Sequence, residues 1–350
     1  MSFKLKIHQL KNWEYWSTPA IYIPMLPFWL YLSCRAKSLF FFHQANPALP
    51  FGGMAMDSKA LIYNIIPEKH IPKTLFFRKK SAPETVINQI QKKEITFPLI
   101  IKPDIGLKGL GVEILDNKND LQQYLLTCDY DFIIQEKIEF TNEIGVFYHR
   151  FPHHKKGKIT GVVKKNFLNV TGNGQNTLAE LIKQNPRSEI HFKTLQKRFS
   201  KEWNIIIPEN KKIDLMPFGS HTRGAEFIDI SHEIDENLEA KIDEICKEID
   251  GFYYGRLDIM YDNLALLKQG QNFKIIELNG SKSEPTHMYD PKHSLFFAWK
   301  EIYKHWKIMS KIAAINKKSG TENLTLKDGI KILTENLKIE KKLRKLSLVG

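Results

Sequence analysis

Cysteine is scarce and unpaired in this chain. Cys34, Cys128 and Cys246 stand far apart in 350 residues. No disulfide framework and no Cys-x-x-Cys metal or redox motif can be built from them. They fit a reducing compartment and read as packing residues. Arginine-rich runs are lacking, as are zinc-finger and RNA-binding aromatic signatures, so nucleic acid is not expected as a partner. Acidic residues are in deficit: 39 Asp and Glu against 52 Lys and Arg leave a formal net charge of +13. With nucleic acid set aside, that surplus suits small anionic ligands or a membrane surface. Apolar and charged fractions are otherwise ordinary, and the length allows one large domain or two to three small ones.

Charge is also missing from residues 15–34, YWSTPAIYIPMLPFWLYLSC. The stretch is about as long as a membrane-crossing helix needs. Pro19, Pro24 and Pro27 interrupt it repeatedly, which opposes a continuous helix. No small-residue cleavage site follows, which opposes a signal peptide. Trp13, Tyr15, Trp16, Tyr22, Trp29 and Tyr31, flanked by Lys11, Arg35 and Lys37, have the composition of an interfacial belt. Three readings stand: an apolar segment packed on the main domain, a peripheral contact with a membrane, or, against the prolines, a true span.

Residues 1–56 are aromatic and proline-rich and show no βαβ rhythm. From residue 57 the character changes to alternating elements. Periodicity predicts helices at 57–65, 83–92, 118–126, 177–184, 188–201, 234–250 and 292–312. It predicts strands near 74–77, 98–102, 111–115, 132–136, 143–150, 158–165, 225–231, 255–261 and 273–279. This mixture implies α+β layering rather than an all-parallel sheet. The tail from residue 313 is strongly basic and amphipathic, with Gly329 weakening its helical pattern. A solvated helix lying on the domain is the expected form.

Two clusters carry chemistry. In FPLIIKPDIGLKGLGVEIL, residues 97–115, a β-forming run ends at Lys102-Pro103 and is followed by Gly106, Gly109 and Gly111. Glycines let backbone N–H groups approach an anion, and the lysine adds a mobile positive charge for phosphate. The spacing is neither the P-loop nor the dinucleotide fingerprint; a plain hairpin is the alternative. The second cluster is GRLDIMYDNLALLKQGQNFKIIELNGS, residues 255–281. Arg256 and Asp258 alternate with apolar neighbours, so they share a strand face; Glu277 and Asn279 do the same on the next strand. Two carboxylates and an amide oxygen suit a hard cation such as Mg²⁺ held partly by phosphates.

At these residues the chain resembles the ATP-grasp carboxylate–amine ligases. IIKPDIGLKGLGV is similar to their lysine-plus-glycine loop, and FIIQEKIEFTNEIGVFY to their hinge strand. GRLDIM and IIELNGSKSEPTH resemble their metal-binding pair of strands. GVVKKNFLNVTGNGQNTLAELI is similar to a middle segment of cyanophycin synthetases. GSHTRGAEFIDIS resembles a Ser-Thr-Gly-Gly stretch of those enzymes and of bifunctional glutathione synthetases. The resemblance covers residues 57–300.

It implies an ATP-grasp fold: two α+β subdomains, 57–137 and 138–312, gripping a nucleotide. An N-terminal segment, 1–56, would precede them and a basic tail, 313–350, would follow. It implies ATP and two Mg²⁺ ions, with Mn²⁺ as a substitute. Lys59 and Lys102 would be the nucleotide lysines, and Gly106, Lys108, Gly109 and Gly111 the lid over the triphosphate. Glu136, Lys137 and Ile138 would line the adenine through the hinge backbone, and Glu143 would accept from the ribose. Asp258, Glu277 and Asn279 would hold the metals, and Arg256 would stabilise the phosphoryl group in transfer. Arg223 is the candidate to pair a substrate carboxylate; a surface salt bridge is its other reading. The roles of His221, Lys164, Lys165, Ser283, Glu284 and Thr286 stay open, though Glu284 would suit an amine or cationic acceptor.

The implied reaction activates a carboxylate as an acyl phosphate and joins it to an amine. A kinase acting on a hydroxyl, and a nucleotide-binding, membrane-associated protein without turnover, are the alternatives. The D-alanine ligase pattern is not matched after Asn279, and the short front segment departs from ligases that begin with a full α/β domain. The expected setting is the cytoplasm, with contact at the inner face of the membrane as an option and a homo-oligomer as another.

Overall fold

Antiparallel pairing organises the chain into two main sheets. The computed structural model describes residues 3–55, 57–106, 111–216 and 219–346. The first sheet is built from β1 (Thr74–Phe77), β2 (Leu99–Pro103), β3 (Glu113–Leu115) and β4 (Phe132–Glu136), in the order β1-β4-β2-β3. Helices Pro83–Lys92 and Lys118–Thr127 cover one face, where Val86, Ile90, Leu121 and Tyr124 meet Leu99, Ile101, Phe132 and Ile134. Alternation along β2 sends Lys102 to the opposite face, away from that core.

The second sheet uses β5 (Asn142–His149) and β6 (Lys158–Asn166). A small two-stranded antiparallel sheet, β7 (Asn169–Thr171) with β8 (Lys212–Asp214), lies outside it. The second sheet is completed by β9 (Glu226–Asp229), β10 (Tyr254–Tyr261) and β11 (Phe273–Asn279), in the order β11-β10-β5-β6-β9. One face is apolar: Ile144, Val146, Tyr148, Leu257, Ile259 and Ile275 pack on helix Glu236–Lys247 through Leu238, Ile242 and Ile245. That helix starts on Asp235, whose side chain accepts from Leu238 N at 2.8 Å. The other face alternates to Glu143, Gly145, Lys165, Arg256 and Asp258.

Element types follow the sequence pattern closely, with two corrections. The expected helix at 188–201 is two short ones, Pro186–Glu189 and Phe192–Arg198. Pro186 starts the first under an Asn185 cap, and His191 leaves helical geometry between them (φ −97°, ψ 11°). Helix Leu295–Lys318 runs past its expected end.

The N-terminal segment folds into helices Phe3–Lys11, Thr18–Tyr22 and Leu26–Ala36, joined by 3₁₀ turns. Among the described residues no helix is long and apolar enough to cross a membrane. One side of the segment is buried on the domain through Trp13, Ile21, Met25 and Leu32. Trp13 stacks on Tyr289 at 5.4 Å between centroids, and Trp299 Nε1 donates to Ile21 O at 3.0 Å. The tail forms helix Leu326–Leu346. Gly329 does not merely weaken it: a Cβ there would lie 2.2 Å from the Phe40 ring, so glycine permits the close approach.

Candidate active site

The polar face of the larger sheet carries a cluster of buried, paired charges. Register sets Asp258 opposite Glu277 and Arg256 opposite Asn279 across β10 and β11. On its other side Asp258 faces Gly145 of β5. A Cβ on Gly145 would stand 3.1 Å from Asp258 Oδ1 and 3.2 Å from Arg256 Cδ. The missing side chain therefore lets both lie across β5.

Arg256 grips Asp258 with Nε to Oδ1 at 2.7 Å and Nη2 to Oδ2 at 2.9 Å. Lys165 Nζ adds a contact at 3.0 Å to Asp258 Oδ2 and another at 2.5 Å to Glu143 Oε1. Lys165, Glu143 and Asp258 are all buried. Burial alone would raise the Asp258 carboxyl, but Arg256 and Lys165 overrule it and hold it at about 2. Glu143 moves the other way: burial raises it, and Asp258 and Glu277 add to the rise against the pull of Lys165. The Lys165 ammonium is raised because Asp258 and Glu143 outweigh its own burial. The sequence offered two adjacent lysines without choosing between them. Pairing of Ile144 with Lys164 puts Lys165 on the Glu143 face and leaves Lys164 exposed.

The smaller sheet and the helix that precedes it contribute one lysine each. Lys102 Nζ donates to Tyr63 OH and to Gln135 Oε1, each at 3.0 Å. The Tyr63 hydroxyl donates in turn to Ile276 O, next to Glu277. Tyr63 thus ties the lysine of one sheet to the carboxylate strand of the other. Lys59 opens helix Lys59–Ile65 behind its Ser58 cap and donates to the carbonyls of Pro103 at 2.9 Å and Asp104 at 3.1 Å. Burial and the nearby Lys102 charge depress the Lys59 ammonium to about 8, with Glu277 and Asp104 opposing in part.

Gly106 follows β2 just after the bridge between Ser58 and Ile105. Gly111 opens the return to β3 with φ +69°. Lys108 and Gly109, expected in the lid, lie outside the described residues. At the hinge between β4 and β5, the Glu136 carboxylate accepts from Lys73 N at 2.9 Å while its own N–H donates to Lys73 O at 3.0 Å. That backbone N–H is therefore engaged within the sheet edge. Lys137 is exposed and Ile138 half-buried.

Arg223 does not join the carboxylate network. It sits in the turn His221–Arg223 without an ion-pair partner among the described residues, and burial together with Arg198 lowers its affinity for a proton. His221 instead meets Glu14 Oε2 at 3.0 Å. Arg187 Nη2 holds both Glu14 oxygens at 2.9 Å. Burial would raise the Glu14 carboxyl, but His221 and Arg187 pull it below the usual range. Glu284, in the loop after β11, accepts at Oε1 from Tyr22 OH at 2.7 Å and Tyr289 OH at 3.1 Å. Ser283 Oγ donates to Asn279 O at 2.7 Å, and Thr286 is buried in the next turn. No sequence signal marked Glu14, Arg187 or Tyr63, and Tyr22 was marked only as part of the aromatic belt.

The donor set suits a hard cation in part. Glu277 is exposed and has no ion-pair partner among the described residues. Asn279 is buried with its Nδ2 lacking a hydrogen-bond partner, so its amide is under-satisfied. Asp258 has both oxygens occupied by cationic side chains. Among the described residues no three His, Cys, Asp or Glu converge as a metal cage. Glu277 and the Asn279 amide oxygen are of the kind that would hold Mg²⁺, whereas Asp258 would have to give up a contact to Arg256 or Lys165 to do so.

The two antiparallel α+β units, with Lys102 of one sheet and Lys59 of the adjoining helix turned toward the carboxylate strand of the other, fit an ATP-grasp arrangement. Residues 57–147 match the family model of the RimK-like ATP-grasp domain. The chain is 27% identical over 263 residues to the glutathione biosynthesis bifunctional protein GshAB of Streptococcus agalactiae serotype V; the match takes in 67% of this chain and 33% of that protein. The protein of the same name from Streptococcus mutans serotype c is 24% identical over 256 residues, with the same shares of 67% and 33%. The chain thus spans about a third of the length of the curated relatives it matches. The solved D-alanine–D-alanine ligase from Bacillus anthracis aligns over 77% of this chain and 70% of its own, at 16% identity and a TM-score of 0.42.

Proposed function

We propose that the chain is an ATP-dependent ligase that activates a carboxylate as an acyl phosphate and joins it to an amine, working in the cytoplasm. The observation that carries this reading is the Arg256–Asp258–Lys165–Glu143 network facing Lys102 and Lys59 across Tyr63. A carboxylate is a poor electrophile because oxide is a poor leaving group. Taking the γ-phosphoryl group of ATP converts it to an acyl phosphate and releases ADP. An amine then attacks the acyl carbon, phosphate leaves, and the amine gives up a proton. Such a reaction asks the protein for position and charge rather than for a covalent nucleophile.

In this reading Lys59 and Lys102 hold phosphate oxygens, with Gly106, Lys108, Gly109 and Gly111 closing over them. Glu136, Lys137 and Ile138 edge the adenine, through the carbonyl of Glu136 rather than its engaged N–H. Glu143 offers Oε2 to the ribose while Lys165 keeps Oε1. Mg²⁺, or Mn²⁺ in its place, would be held by Glu277, Asn279 and Asp258 and would neutralise charge building on the phosphates. Arg256 faces the transferring group. Arg223, free of an ion-pair partner among the described residues, would take a carboxylate of the substrate.

The test is hydroxamate formation from MgATP, hydroxylamine and pooled carboxylates, amino acids and short peptides included, with ADP followed in parallel. Hydroxamate with ADP supports carboxylate activation. ADP in proportion to a phosphorylated alcohol, without hydroxamate, overturns it in favour of a kinase. Nucleotide binding with no turnover on any pool would leave a binding protein as the better reading.

A further inference from the structure

The outer side of the N-terminal segment is apolar and uncovered. Ile23, Leu26, Phe28, Leu30 and Tyr31 are 60, 49, 46, 55 and 51% exposed. No charge interrupts residues 15–34. The inner side, with Ile21, Met25 and Leu32, is buried on the domain, while the outer side leaves Ile23, Leu26, Phe28, Leu30 and Tyr31 about half exposed or more. Exposed apolar residues in such a run mark an interaction surface.

Beside it runs a rail of positive charge. Lys300, Lys304, Lys307 and Lys311 lie on one face of helix Leu295–Lys318, spaced four, three and four residues apart, and all are exposed. They line a shallow groove of about 390 Å³ with Phe151, Tyr303 and Ile308. Phe28 packs on Tyr303 at 5.2 Å between ring centroids. The apolar run and the lysine rail are therefore one continuous face. Lys304 contacts Glu301 at 3.1 Å, whereas Lys300, Lys307 and Lys311 have no carboxylate partner among the described residues. Arg35 and Lys37 extend the positive rim at the far end of helix Leu26–Ala36.

We propose that this face docks on an anionic lipid bilayer, with Ile23, Leu26, Phe28, Leu30 and Tyr31 at the acyl boundary and the lysine rail on the headgroups. Shallow apolar insertion flanked by basic residues is the pattern of an interfacial, non-spanning contact. A second copy of the chain fits less well. A two-fold interface sets the same patch against itself, and among the described residues this patch offers no free carboxylate to meet Lys300, Lys307 or Lys311. The inference does not depend on the ligase reading, since none of these residues belongs to the candidate active site.

The test is sedimentation of the full chain with vesicles of phosphatidylglycerol and phosphatidylcholine in equal parts, and with phosphatidylcholine alone. The expected result is pelleting with the anionic vesicles, weakened by high salt. The Ile23→Asp/Leu30→Asp variant and the Lys300→Glu/Lys307→Glu/Lys311→Glu variant each remain in the supernatant, with cooperative thermal unfolding retained. The lysine variant loses roughly 100-fold or more in partition coefficient, as removal of three surface lysines implies. Full retention of the wild-type chain in the supernatant overturns the proposal. So does a concentration-dependent dimer that the Ile23→Asp/Leu30→Asp variant abolishes while vesicle binding is absent.

Discussion

Lys165 Nζ lies 3.0 Å from Asp258 Oδ2, and both groups are buried. The ammonium also touches Glu143, so a single lysine neutralises two carboxylates that burial would otherwise penalise heavily. Replacing Lys165 by Met strands Glu143 without its cation. The expected cost is about 3–5 kcal/mol of stability, as for other broken buried pairs. Adding Glu143→Gln removes part of that cost, so the double variant is less destabilised than the sum of the singles by ~1–3 kcal/mol. Urea denaturation of the four proteins measures this coupling. Additive losses would show that the contact at 2.5 Å contributes nothing of its own.

The two carboxylates of the β10–β11 pair separate structure from chemistry. Glu277 is exposed and unpaired among the described residues, whereas Asp258 is buried under Arg256 and Lys165. Glu277→Gln is expected to abolish ATP turnover with no change in Tm. Asp258→Asn is expected to abolish turnover and lower Tm as well, because it leaves Arg256 facing a neutral partner. Mn²⁺ binding followed by electron paramagnetic resonance supplies a readout apart from activity: affinity drops in Glu277→Gln. Unchanged Mn²⁺ affinity in that variant removes Glu277 from the metal set.

Lys59 makes nucleotide binding sensitive to pH. Its ammonium is depressed to about 8 by burial and by Lys102. Below pH 8 it is charged and attracts phosphate; above pH 8 it is a neutral amine. Bound triphosphate would favour the charged form, so binding near pH 8 takes up a proton. Calorimetry in buffers of different ionisation heat should show that uptake at pH 8 and its loss at pH 6.5. Stability has the opposite sense to a usual salt bridge. The folded state binds the proton less tightly than the unfolded chain, so this group favours the fold increasingly as pH rises from about 8 to 10.5. Lys59→Met removes both effects; proton uptake that persists in it assigns the titration elsewhere.

Much of this site was legible because alternation along a strand is a local property. Arg256 with Asp258, and Glu277 with Asn279, could be put on shared faces from spacing alone, and register then sets the pairs opposite each other. Lys102 was legible as a charge ending an apolar run. What was hidden depends on partners distant in sequence. The choice of Lys165 over Lys164 follows only from pairing with β5. The hold of Lys73 on Glu136 and the Tyr63 bridge to Ile276 likewise need the folded topology. The helix expected at 188–201 failed locally, because apolar periodicity outlasts the break around His191.

The N-terminal segment had no signal for where it docks, and the pair that fixes it is testable. Arg187 holds both Glu14 oxygens at 2.9 Å and His221 adds a third contact, all away from bulk water. Glu14→Ala leaves the Arg187 guanidinium largely buried without its counter-charge, a loss of about 3 kcal/mol or more. The damage should fall first on the segment itself, since Glu14 is what joins it to the helix at Pro186–Glu189 and the turn at His221–Arg223. Limited proteolysis should then cut within residues 10–40 well before the sheets are attacked, whereas the wild-type segment resists. Tyr22→Phe is the companion variant: it removes one of two donors to Glu284 and leaves the apolar packing in place. If Glu14→Ala frees the segment but Tyr22→Phe does not, the docking energy resides in the Glu14 ion pair and Tyr22 serves to orient Glu284. If neither variant changes the digestion pattern, burial of Trp13, Ile21, Met25 and Leu32 alone holds the segment in place.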